Sequence, residues 1–299
     1  MSVLVVGSTA LDSIKTPKQE NPRLLGGSAS HAAVAASFFA PVKLVGIVGN
    51  DFPRRYVRLY QKHKIDLDGL QIAEGKTFHW AGEYEVNMNN RRTLVTELGV
   101  FETFLPALPP SYQNTPFVLL ANIAPSLQHH VLDQMRKPRF VVADTMDLWL
   151  NIALPDLLRL LTRVDALVLN DSEARQLTKQ DNVIRAMRAI HRMGPRYVIV
   201  KKGEHGSILS GPGGMFVCPA YPLQNLVDPT GAGDSFVGGL IGYLASARGD
   251  LEGNLRRGMV YGTVVASFCC EGFGLTCTTR VTRPRIEERV AELKKMVKF

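Results

Sequence analysis

The segment from Asp228 to Asp234 combines small residues and carboxylates in a pattern that suits phosphate chemistry. It reads Asp-Pro-Thr-Gly-Ala-Gly-Asp and leads directly into an apolar stretch that predicts a buried helix. Gly231, Ala232 and Gly233 have little or no side chain, so their N–H groups can approach an anion, and a helix start adds unpaired donors. Asp234 adds a carboxylate at the mouth of this positive pocket. It can accept the proton of a hydroxyl while the donors hold the charge of a phosphoryl group in transfer.

The same seven residues resemble the C-terminal signature of the ribokinase/PfkB family of sugar and nucleoside kinases. The resemblance implies that ATP and Mg²⁺ are the cofactors, that Asp234 is the catalytic base and that the three small residues form the anion hole. It also implies a potassium site at Asp228 and Thr230, where many members of the family bind that ion. Since Asp234 lies beside a helix N-terminus and N–H donors that favour its ionised form, we expect its pKa to be low.

Five residues in the first half of the chain are candidates for binding the acceptor. Asp12 follows the first predicted strand, where charged side chains of α/β folds face the ligand crevice, and the family has an Asp there that holds two sugar hydroxyls. Gly26 and Gly27 open a segment that resembles the family's N-terminal Gly-Gly signature, in which the backbone approaches the sugar. His31 stands where the family usually has Asn, and it either contacts substrate or is a buried structural residue. Asn122 follows a later strand and is a further candidate.

Five further residues are candidates for binding the nucleotide. Asn170 and Glu173 follow a predicted strand in an Asn-x-x-Glu pattern, which is also the pattern of a helix N-cap with Glu at its third position. The resemblance implies that Glu173 acts on Mg²⁺ and the phosphates through water, with Asn170 near the phosphates. Lys201 ends another strand and matches a family variant that reaches the phosphates. Gly203 and Gly206 predict a tight turn against the nucleotide.

Strands and helices alternate along nearly the whole sequence, which predicts an α/β, ribokinase-like fold with a mostly parallel central sheet and helices on both faces. We interpret residues 1–299 as a single kinase domain. Residues 77–98 interrupt the alternation with a period-two pattern that predicts a β-hairpin, with Asn89 and Asn90 at its turn. In the family, an inserted sheet at this place forms a lid over the sugar and is sometimes shared between subunits, so the hairpin is also a candidate homodimer contact.

Composition and charge narrow the choice of partners. No apolar run reaches the ~18 residues that a membrane span needs, and the first residues lack the basic region of a signal peptide. The four cysteines form no C-x-x-C pair, which favours a reduced, cytoplasmic protein. The formal net charge is +8, but the basic residues are scattered and no nucleic-acid-binding motif accompanies them. We therefore expect a small-molecule acceptor, with neither a nucleic acid nor a membrane as partner.

The function that these residues favour is ATP-dependent phosphorylation of a hydroxymethyl group on a sugar or a sugar-like small molecule. A nucleoside kinase is the alternative, because Phe78, Trp80 or His31 could stack on a base. A catalytically silent nucleotide-binding regulator is a third interpretation. The intact Asp234 and anion hole argue against it.

Overall fold

The structure, a computed structural model, describes residues 1–88 and 91–298. Within these residues the chain forms two sheets flanked by helices. The strands, in chain order, are β1 (Val3–Val6), β2 (Ala10–Lys15), β3 (Glu20–Gly26), β4 (Val42–Gly49), β5 (Ile65–Ala73), β6 (His79–Tyr84), β7 (Arg91–Glu97), β8 (Phe117–Leu120), β9 (Phe140–Asp144), β10 (Ala166–Asn170), β11 (Tyr197–Lys201), β12 (Ser207–Gly211) and β13 (Gly214–Cys218).

The helices lie mostly between strands of the larger sheet or after it. They are α1 (Ser28–Ser37), α2 (Arg54–Lys62), α3 (Pro125–Gln134), α4 (Asp147–Ile152), α5 (Leu154–Leu161), α6 (Asp171–Thr178), α7 (Val183–His191), α8 (Ala232–Ser246), α9 (Leu251–Cys269) and α10 (Arg283–Met296). Each helix in the described ranges is too short or too polar to cross a membrane.

The larger sheet has nine strands in the order β13-β12-β11-β10-β9-β8-β1-β4-β5. The pairs from β11 to β5 are parallel, and β12 and β13 form an antiparallel edge. Parallel strands that are covered on both faces need apolar residues at every position, and β1, β8 and β9 are buried along their whole length. The prediction of a mostly parallel sheet is confirmed.

Two layers of helices cover the faces of this sheet. Because successive strand residues point to opposite faces, Val3 and Val5 pack in the apolar cluster of α1 and α8, whereas Leu4 and Val6 pack in that of α3, α5 and α7. The predicted arrangement of helices on both faces is therefore also confirmed.

Helices α1 and α8 pack backbone against backbone. A Cβ added at Gly238 would lie 2.3 Å from the carbonyl oxygen of Ala32, and one added at Gly242 would lie 2.7 Å from Cα of Ala36. Larger side chains at these positions would force the two helices apart. This close contact fixes the start of α8 relative to the start of α1.

The smaller sheet has the strand order β3-β2-β6-β7, in which β2 and β6 are parallel and the outer pairs are antiparallel. The predicted hairpin supplies β6 and β7, while Asn89 and Asn90, the expected turn, lie outside the described residues. The sequence pattern did not predict β2 and β3, because the first half of β3 is polar and contains Pro22. Asp12 consequently lies inside β2, not in a loop after β1, and it pairs in register with Trp80 of β6.

Candidate active site

The N-terminus of α8 is the centre of the site. Gly231 has a φ of 76°, a left-handed conformation that glycine adopts without strain. Ala232 and Gly233 begin the helix, whose first N–H groups have no partner within the helix. The Ala232 N–H donates to the Pro229 carbonyl at 3.1 Å. Gly231 and Gly233 carry the other N–H groups of this loop at the positive end of the helix dipole, an arrangement that suits a phosphate group.

His31, on α1, packs against Gly231 of this loop. A Cβ added at Gly231 would lie 2.3 Å from the His31 ring. The ring is 1% exposed, and its Nδ1 lies 3.7 Å from Sγ of Cys269. Its Nε2 has no hydrogen-bond partner among the described residues. Burial lowers the pKa of His31 to about 4, so the imidazole is neutral at physiological pH.

A buried ion pair lies beside the anion hole. Nζ of Lys201, at the end of β11, is 3.2 Å from Oδ1 of Asp144, at the end of β9. A Cβ added at Gly233 would lie 3.1 Å from the same Nζ, so the ammonium group faces the anion hole. Burial disfavours the charged form of Lys201, but the carboxylates of Asp144, Glu173 and Asp234 outweigh burial and raise its pKa. Lys201 is therefore a fixed cation at the phosphate position.

Asn170 and Glu173 form a capping box at the start of α6. The Asn170 side chain accepts a hydrogen bond from Glu173 N at 2.7 Å, and Oε2 of Glu173 accepts one from Asn170 N at 2.7 Å. The helix N-cap explanation is thus correct, and it holds Glu173 near Lys201 and Asp144. Burial raises the pKa of Glu173 to about 7, with Lys201 opposing it and Asp144 adding to it.

Asp12 lies on the other side of the site, against the Gly-Gly segment. A Cβ added at Gly26 would lie 1.9 Å from Oδ2 of Asp12, so glycine at this position makes room for the carboxylate. The pKa of Asp12 is raised to about 7, mainly by burial, with the carboxylates of Asp228 and Asp234 adding to the rise and a hydrogen bond from the backbone of Gly27 opposing it. Asp12 and Asp234 therefore interact electrostatically.

The pKa of Asp234 differs from the expectation. Burial raises it above its ordinary value, and the charges of Lys201 and Arg91 offset burial only in part. The expected low pKa is wrong because the loss of solvent around the carboxylate outweighs the helix dipole and the N–H donors. A raised pKa makes Asp234 a better proton acceptor than a carboxylate in water.

Asp228 ties the anion-hole loop to a second loop. Its Oδ1 accepts a hydrogen bond from Thr230 N at 2.9 Å, and its Oδ2 accepts one from Gly274 N at 3.1 Å. The carboxylate is 0% exposed, and burial raises its pKa. On the outer side, the hydroxyls of Tyr84 in β6 and Thr230 are 2.9 Å apart. The small sheet is therefore hydrogen-bonded to the anion-hole loop.

A cavity of about 490 Å³ opens next to Lys201 and Gly233. The turn from Gly203 to Gly206 forms part of its wall, closed by a hydrogen bond from Gly206 N to the Gly203 carbonyl at 3.1 Å. Its other lining residues include Asn87, Met88, Ser207, Tyr221, Leu226, Phe236, Thr263 and Ser267. The lining combines apolar side chains such as Leu226 and Phe236 with polar ones such as Ser207 and Thr263, which suits a nucleotide.

Asn122 lies close to the Gly-Gly segment, because its carbonyl accepts a hydrogen bond from Ser28 Oγ at 3.2 Å. Its side chain is also engaged within the protein. Oδ1 accepts a hydrogen bond from Trp149 Nε1 at 2.8 Å, and Nδ2 lies 2.9 Å from Met146 Sδ. Asn122 is therefore oriented by its neighbours, with one amide hydrogen remaining for a ligand.

The three rings that could have stacked on a base each contact the protein. Phe78 stacks on Phe101 with 5.3 Å between ring centroids. The Trp80 ring lies over Gly82, where an added Cβ would be 2.1 Å from Cη2. The ring of His31 is buried beneath Gly231. None of the three offers evidence for a base-stacking site.

Two residues that the sequence motifs do not include also belong to the site. Asp144 could have been found by the rule that ligands bind at the carboxyl ends of parallel strands, since it ends β9. Arg91 has no such signal. Its guanidinium lowers the pKa of both Asp12 and Asp234, and only the pairing of β6 with β7 brings it there.

Comparison with known proteins identifies the family. The family model described as pfkB family carbohydrate kinase matches residues 2–277. The cytidine kinase of Thermococcus kodakarensis is 30% identical over 267 residues, which cover 87% of this chain and 94% of that protein. The Methanocaldococcus jannaschii nucleoside kinase, described as an archaeal member of the ribokinase family, has a TM-score of 0.78 and 21% identity and covers 97% of this chain and 98% of its own.

The Arabidopsis thaliana ribokinase complexed with ribose and ATP has a TM-score of 0.77 and 21% identity and covers 96% of this chain and 98% of its own. These two structures, each below 25% identity, establish the ribokinase-like fold. The family match and the T. kodakarensis relative go further, because each spans most of the chain. The chain belongs to the pfkB family of carbohydrate kinases.

Proposed function

We propose that the protein transfers the γ-phosphoryl group of ATP to the hydroxymethyl group of a sugar ring, either free or within a nucleoside. The observation that carries this proposal is the pair of carboxylates beside the anion hole and Lys201, the buried Asp12 and the partly buried Asp234, which interact electrostatically. Asp12 accepts hydrogen bonds from two ring hydroxyls, and Asp234 collects the proton of the hydroxymethyl group as the new bond to phosphorus forms.

The donor lies in the cavity beside α8, with its phosphates towards the anion hole. Gly231, Ala232 and Gly233 form the anion hole, in which Gly231 and Gly233 donate N–H groups to the γ-phosphate, and Lys201 supplies a positive charge on the opposite side. Gly203 and Gly206 bound the cavity beyond Lys201, where the nucleoside part of ATP fits. The family relative complexed with ribose and ATP supports ATP as the donor.

The proposal also includes two metal ions, Mg²⁺ and potassium. Glu173 and Asp144 offer hard oxygen ligands of the kind that Mg²⁺ takes, through water in the case of Glu173, and Asn170 lies beside them. Their pKa values are raised, so a divalent cation would relieve charges that are costly to bury. The ion would neutralise charge on the phosphates.

For potassium, the buried Asp228 carboxylate and the carbonyl of Thr230 are suitable ligands. Equal rates in potassium and tetramethylammonium buffers would argue against this site.

The acceptor has two candidate forms. A free sugar or polyol fits Asp12 and the Gly-Gly segment, in which His31 replaces the usual Asn. A nucleoside is the second candidate, and the 30% identity to a cytidine kinase favours it, although the rings of Phe78, Trp80 and His31 each contact other residues of the protein. A coupled ADP-release screen over hexoses, pentoses, polyols, sugar acids and nucleosides tests both. Turnover of nucleosides alone would eliminate the free sugar, and no turnover of any compound would favour the regulator.

We further propose that residues 1–299 act as one kinase domain in a reducing, cytoplasmic environment, with residues 77–98 as part of a lid over the acceptor. Strand β7 is exposed at every position and includes Leu94 and Val95, 47% and 38% exposed. An exposed edge strand that carries two apolar side chains is a candidate homodimer contact. Light scattering at micromolar concentration checks it, and a strict monomer would remove this part of the proposal.

A further inference from the structure

A second cavity lies between the C-terminal ends of α1 and α2 and the segment that leads into α10. Its volume is about 360 Å³, and Lys62, Lys64, Arg280 and Arg283 are part of its wall, so we name it the basic cavity. A cavity of this volume is large enough for a small organic ligand. We propose that the basic cavity is a binding site for a small phosphate monoester, separate from the active site described above.

Helix α1 separates the basic cavity from the active site. The helix begins next to Gly27, beside Asp12, and its last residue, Ser37, lines the basic cavity. Its ten residues span about 15 Å. Within the described chain, no candidate residue of the active site lines the basic cavity. A ligand bound there would therefore leave the places of ATP and of the acceptor free.

The wall of the basic cavity carries more positive charge than its neighbours balance. Among residues 1–88 and 91–298, no Asp or Glu lines the cavity, and Lys62, Lys64 and Arg280 enter no ion pair. Arg283 has a partner, since its Nε lies 2.7 Å from Oε1 of Glu287. Like charges around one space repel each other, and an anion between them would relieve this repulsion.

The helix dipoles do not account for the two arginines. Lys62 ends α2, where a cation is favourable, but Arg280 and Arg283 lie at the start of α10, where the positive end of the dipole disfavours a cation. The first turn of α10 has no acidic residue, and among the described residues the side chain of its N-cap, Thr282, makes no capping hydrogen bond. A phosphate group would supply the missing negative charge and accept hydrogen bonds from the Arg283 N–H and the Thr282 hydroxyl.

His63, in the same wall, should respond to a bound anion. Its Nδ1 lies 3.2 Å from Oγ of Ser37, and that hydroxyl gives its own proton to the Val34 carbonyl at 2.7 Å, so Nδ1 is the donor. Burial lowers the pKa of His63 below its ordinary value and the charge of Lys62 lowers it further, while a hydrogen bond to the backbone of Thr279 opposes both. A phosphate dianion among the four cations of the wall would offset their charge and raise the pKa of His63.

The remaining wall suits the organic part of a monoester. Phe38 and Val281 line the basic cavity and are each only partly buried. The ring of Phe38 meets that of His63 edge to face, with 5.8 Å between centroids. Apolar side chains beside cations suit a ligand with a carbon ring and one charged end. A sugar phosphate and a nucleoside monophosphate both have these parts, whereas inorganic phosphate has only the charge, so it should bind more weakly.

The first turn of α10 supplies a matched control. Arg285 lies in that turn and pairs with Glu288 at 2.8 Å, and it is not among the described residues that line the basic cavity. Arg280→Gln and Arg285→Gln therefore remove the same charge from exposed positions at the start of α10, one in the wall and one outside it. The double variant Lys62→Gln/Arg280→Gln removes a second charge from the wall, also at an exposed position.

Calorimetry with ribose 5-phosphate, adenosine 5′-monophosphate and inorganic phosphate provides the first test. We expect at least one monoester to bind the wild type with a Kd below about 1 mM. Arg280→Gln should weaken this binding by about fivefold or more, the double variant should abolish it, and Arg285→Gln should stay within about twofold of wild type. The tighter of the two monoesters identifies the organic part.

Four results of this titration overturn the proposal. They are a Kd above about 1 mM for both monoesters, equal affinity in the wild type and both wall variants, equal weakening by Arg280→Gln and Arg285→Gln, and binding of inorganic phosphate as tight as that of the esters. The second result would place the ligand elsewhere, as at the active site. A single-stranded oligonucleotide that binds more tightly than either monoester and is lost in the wall variants also overturns it, because the occupant would then be a nucleic acid.

A second measurement locates the ligand directly. Proton NMR titration of the histidine ring signals, with His63→Gln to assign the signal of His63, gives the pKa of this residue with and without the tighter monoester. We expect the ligand to raise that pKa by about 0.5 or more in the wild type and in Arg285→Gln, and to leave it unchanged in the double variant. Binding by calorimetry without any change at His63 overturns the proposal.

Discussion

The donor half and the acceptor half of the site are built in different ways. The donor half uses the ends of β9, β10 and β11 and the start of α8, all of which belong to the buried framework of the large sheet. The acceptor half uses Asp12, Trp80 and Arg91 on a four-stranded sheet whose edge strand β7 is exposed throughout. One half is fixed by packing, and the other by strand register and a few polar contacts.

This difference indicates which part of the site recognises the phosphoryl donor and which part selects the acceptor. Every substrate of such an enzyme receives the same phosphoryl group, so the donor half can rely on backbone N–H groups and rigid strand ends. The acceptor varies, and side chains on an exposed sheet can change without disturbing a core. Substitutions in the donor half should therefore alter turnover, nucleotide affinity or stability, and substitution of the acceptor-binding Asp12 should alter acceptor binding.

The largest effect is expected at Asp234, where the two halves meet. Asp234→Asn should lower kcat by roughly 10²–10⁴, the range for loss of a general base. ATP affinity should be equal or higher, because a negative charge near the triphosphate is removed. Because burial raises the pKa of Asp234, the wild-type kcat should fall as the pH drops through a value above the ordinary carboxyl range.

Measurement of kcat from pH 5 to 9, with a nucleotide Kd for both proteins, checks this prediction. The acid limb of the profile should disappear in Asp234→Asn. A variant that retains more than about a tenth of the wild-type kcat would show that the base lies elsewhere.

The next effect belongs to the acceptor half. Asp12→Asn should raise the acceptor KM by about 10²-fold, as expected when charge-assisted hydrogen bonds are lost, and leave the ATP Kd nearly unchanged. Asp12→Ala should behave similarly. A comparable loss of ATP affinity would mean that the two halves are not separable.

The same substitution should stabilise the protein at neutral pH. Burial raises the pKa of Asp12 from 3.8 to about 7, so the folded state loses stability as the pH rises through that interval. Asp12→Asn removes this cost and should add about 1–2 kcal/mol at pH 8. Thermal unfolding without ligand at pH 4, pH 5 and pH 8 measures this gain in stability, which should vanish at pH 4.

A moderate effect is expected for the ion pair of the donor half. Asp144→Asn leaves the Lys201 ammonium buried with only Glu173 and Asp234 nearby, so stability should fall by about 1–3 kcal/mol. The ATP Kd should rise about tenfold because Lys201 is no longer fixed at the anion hole. Urea unfolding and calorimetry give both numbers, and Asp133→Asn, in an exposed pair with Arg163, is the control.

The smallest effect is expected where the halves touch. Tyr84→Phe removes the hydroxyl that meets Thr230 and should cost about 1 kcal/mol of stability. The kcat should fall only a few-fold, because Arg91 and Trp80 remain. A loss as large as that of Asp234→Asn would show that the small sheet controls the anion hole directly.

Much of the donor half could be predicted from the sequence. Residues 228–234 carry their own motif, Asn170 and Glu173 follow a predicted strand and Lys201 ends one, and the ends of parallel strands meet at one edge of a sheet. The acceptor half could be predicted only in part. The hairpin of β6 and β7 has a clear period of two, but β2 shows no alternation of buried and exposed residues, and β3 contains Pro22 between the polar residues Asn21 and Arg23.

The remaining failures have physical causes. The pairing of Tyr84 with Arg91 depends on a register shift between β6 and β7 that no local pattern encodes. The low pKa expected for Asp234 considered only the helix dipole and the N–H donors. Desolvation depends on what covers a side chain, and distant parts of the chain provide that cover.

The contact between α1 and α8 has an electrostatic consequence. Gly238 meets Ala32 and Gly242 meets Ala36, so the two helices run in the same direction and both begin at the site. Two parallel dipoles side by side repel each other, and the combined positive potential is greatest at their shared N-terminal end. Anions at that end, first Asp12 and Asp234 and then the phosphates of ATP, oppose this repulsion. Substrate binding should therefore stabilise the packing of α1 against α8 along the whole contact, including residues that do not touch the ligand.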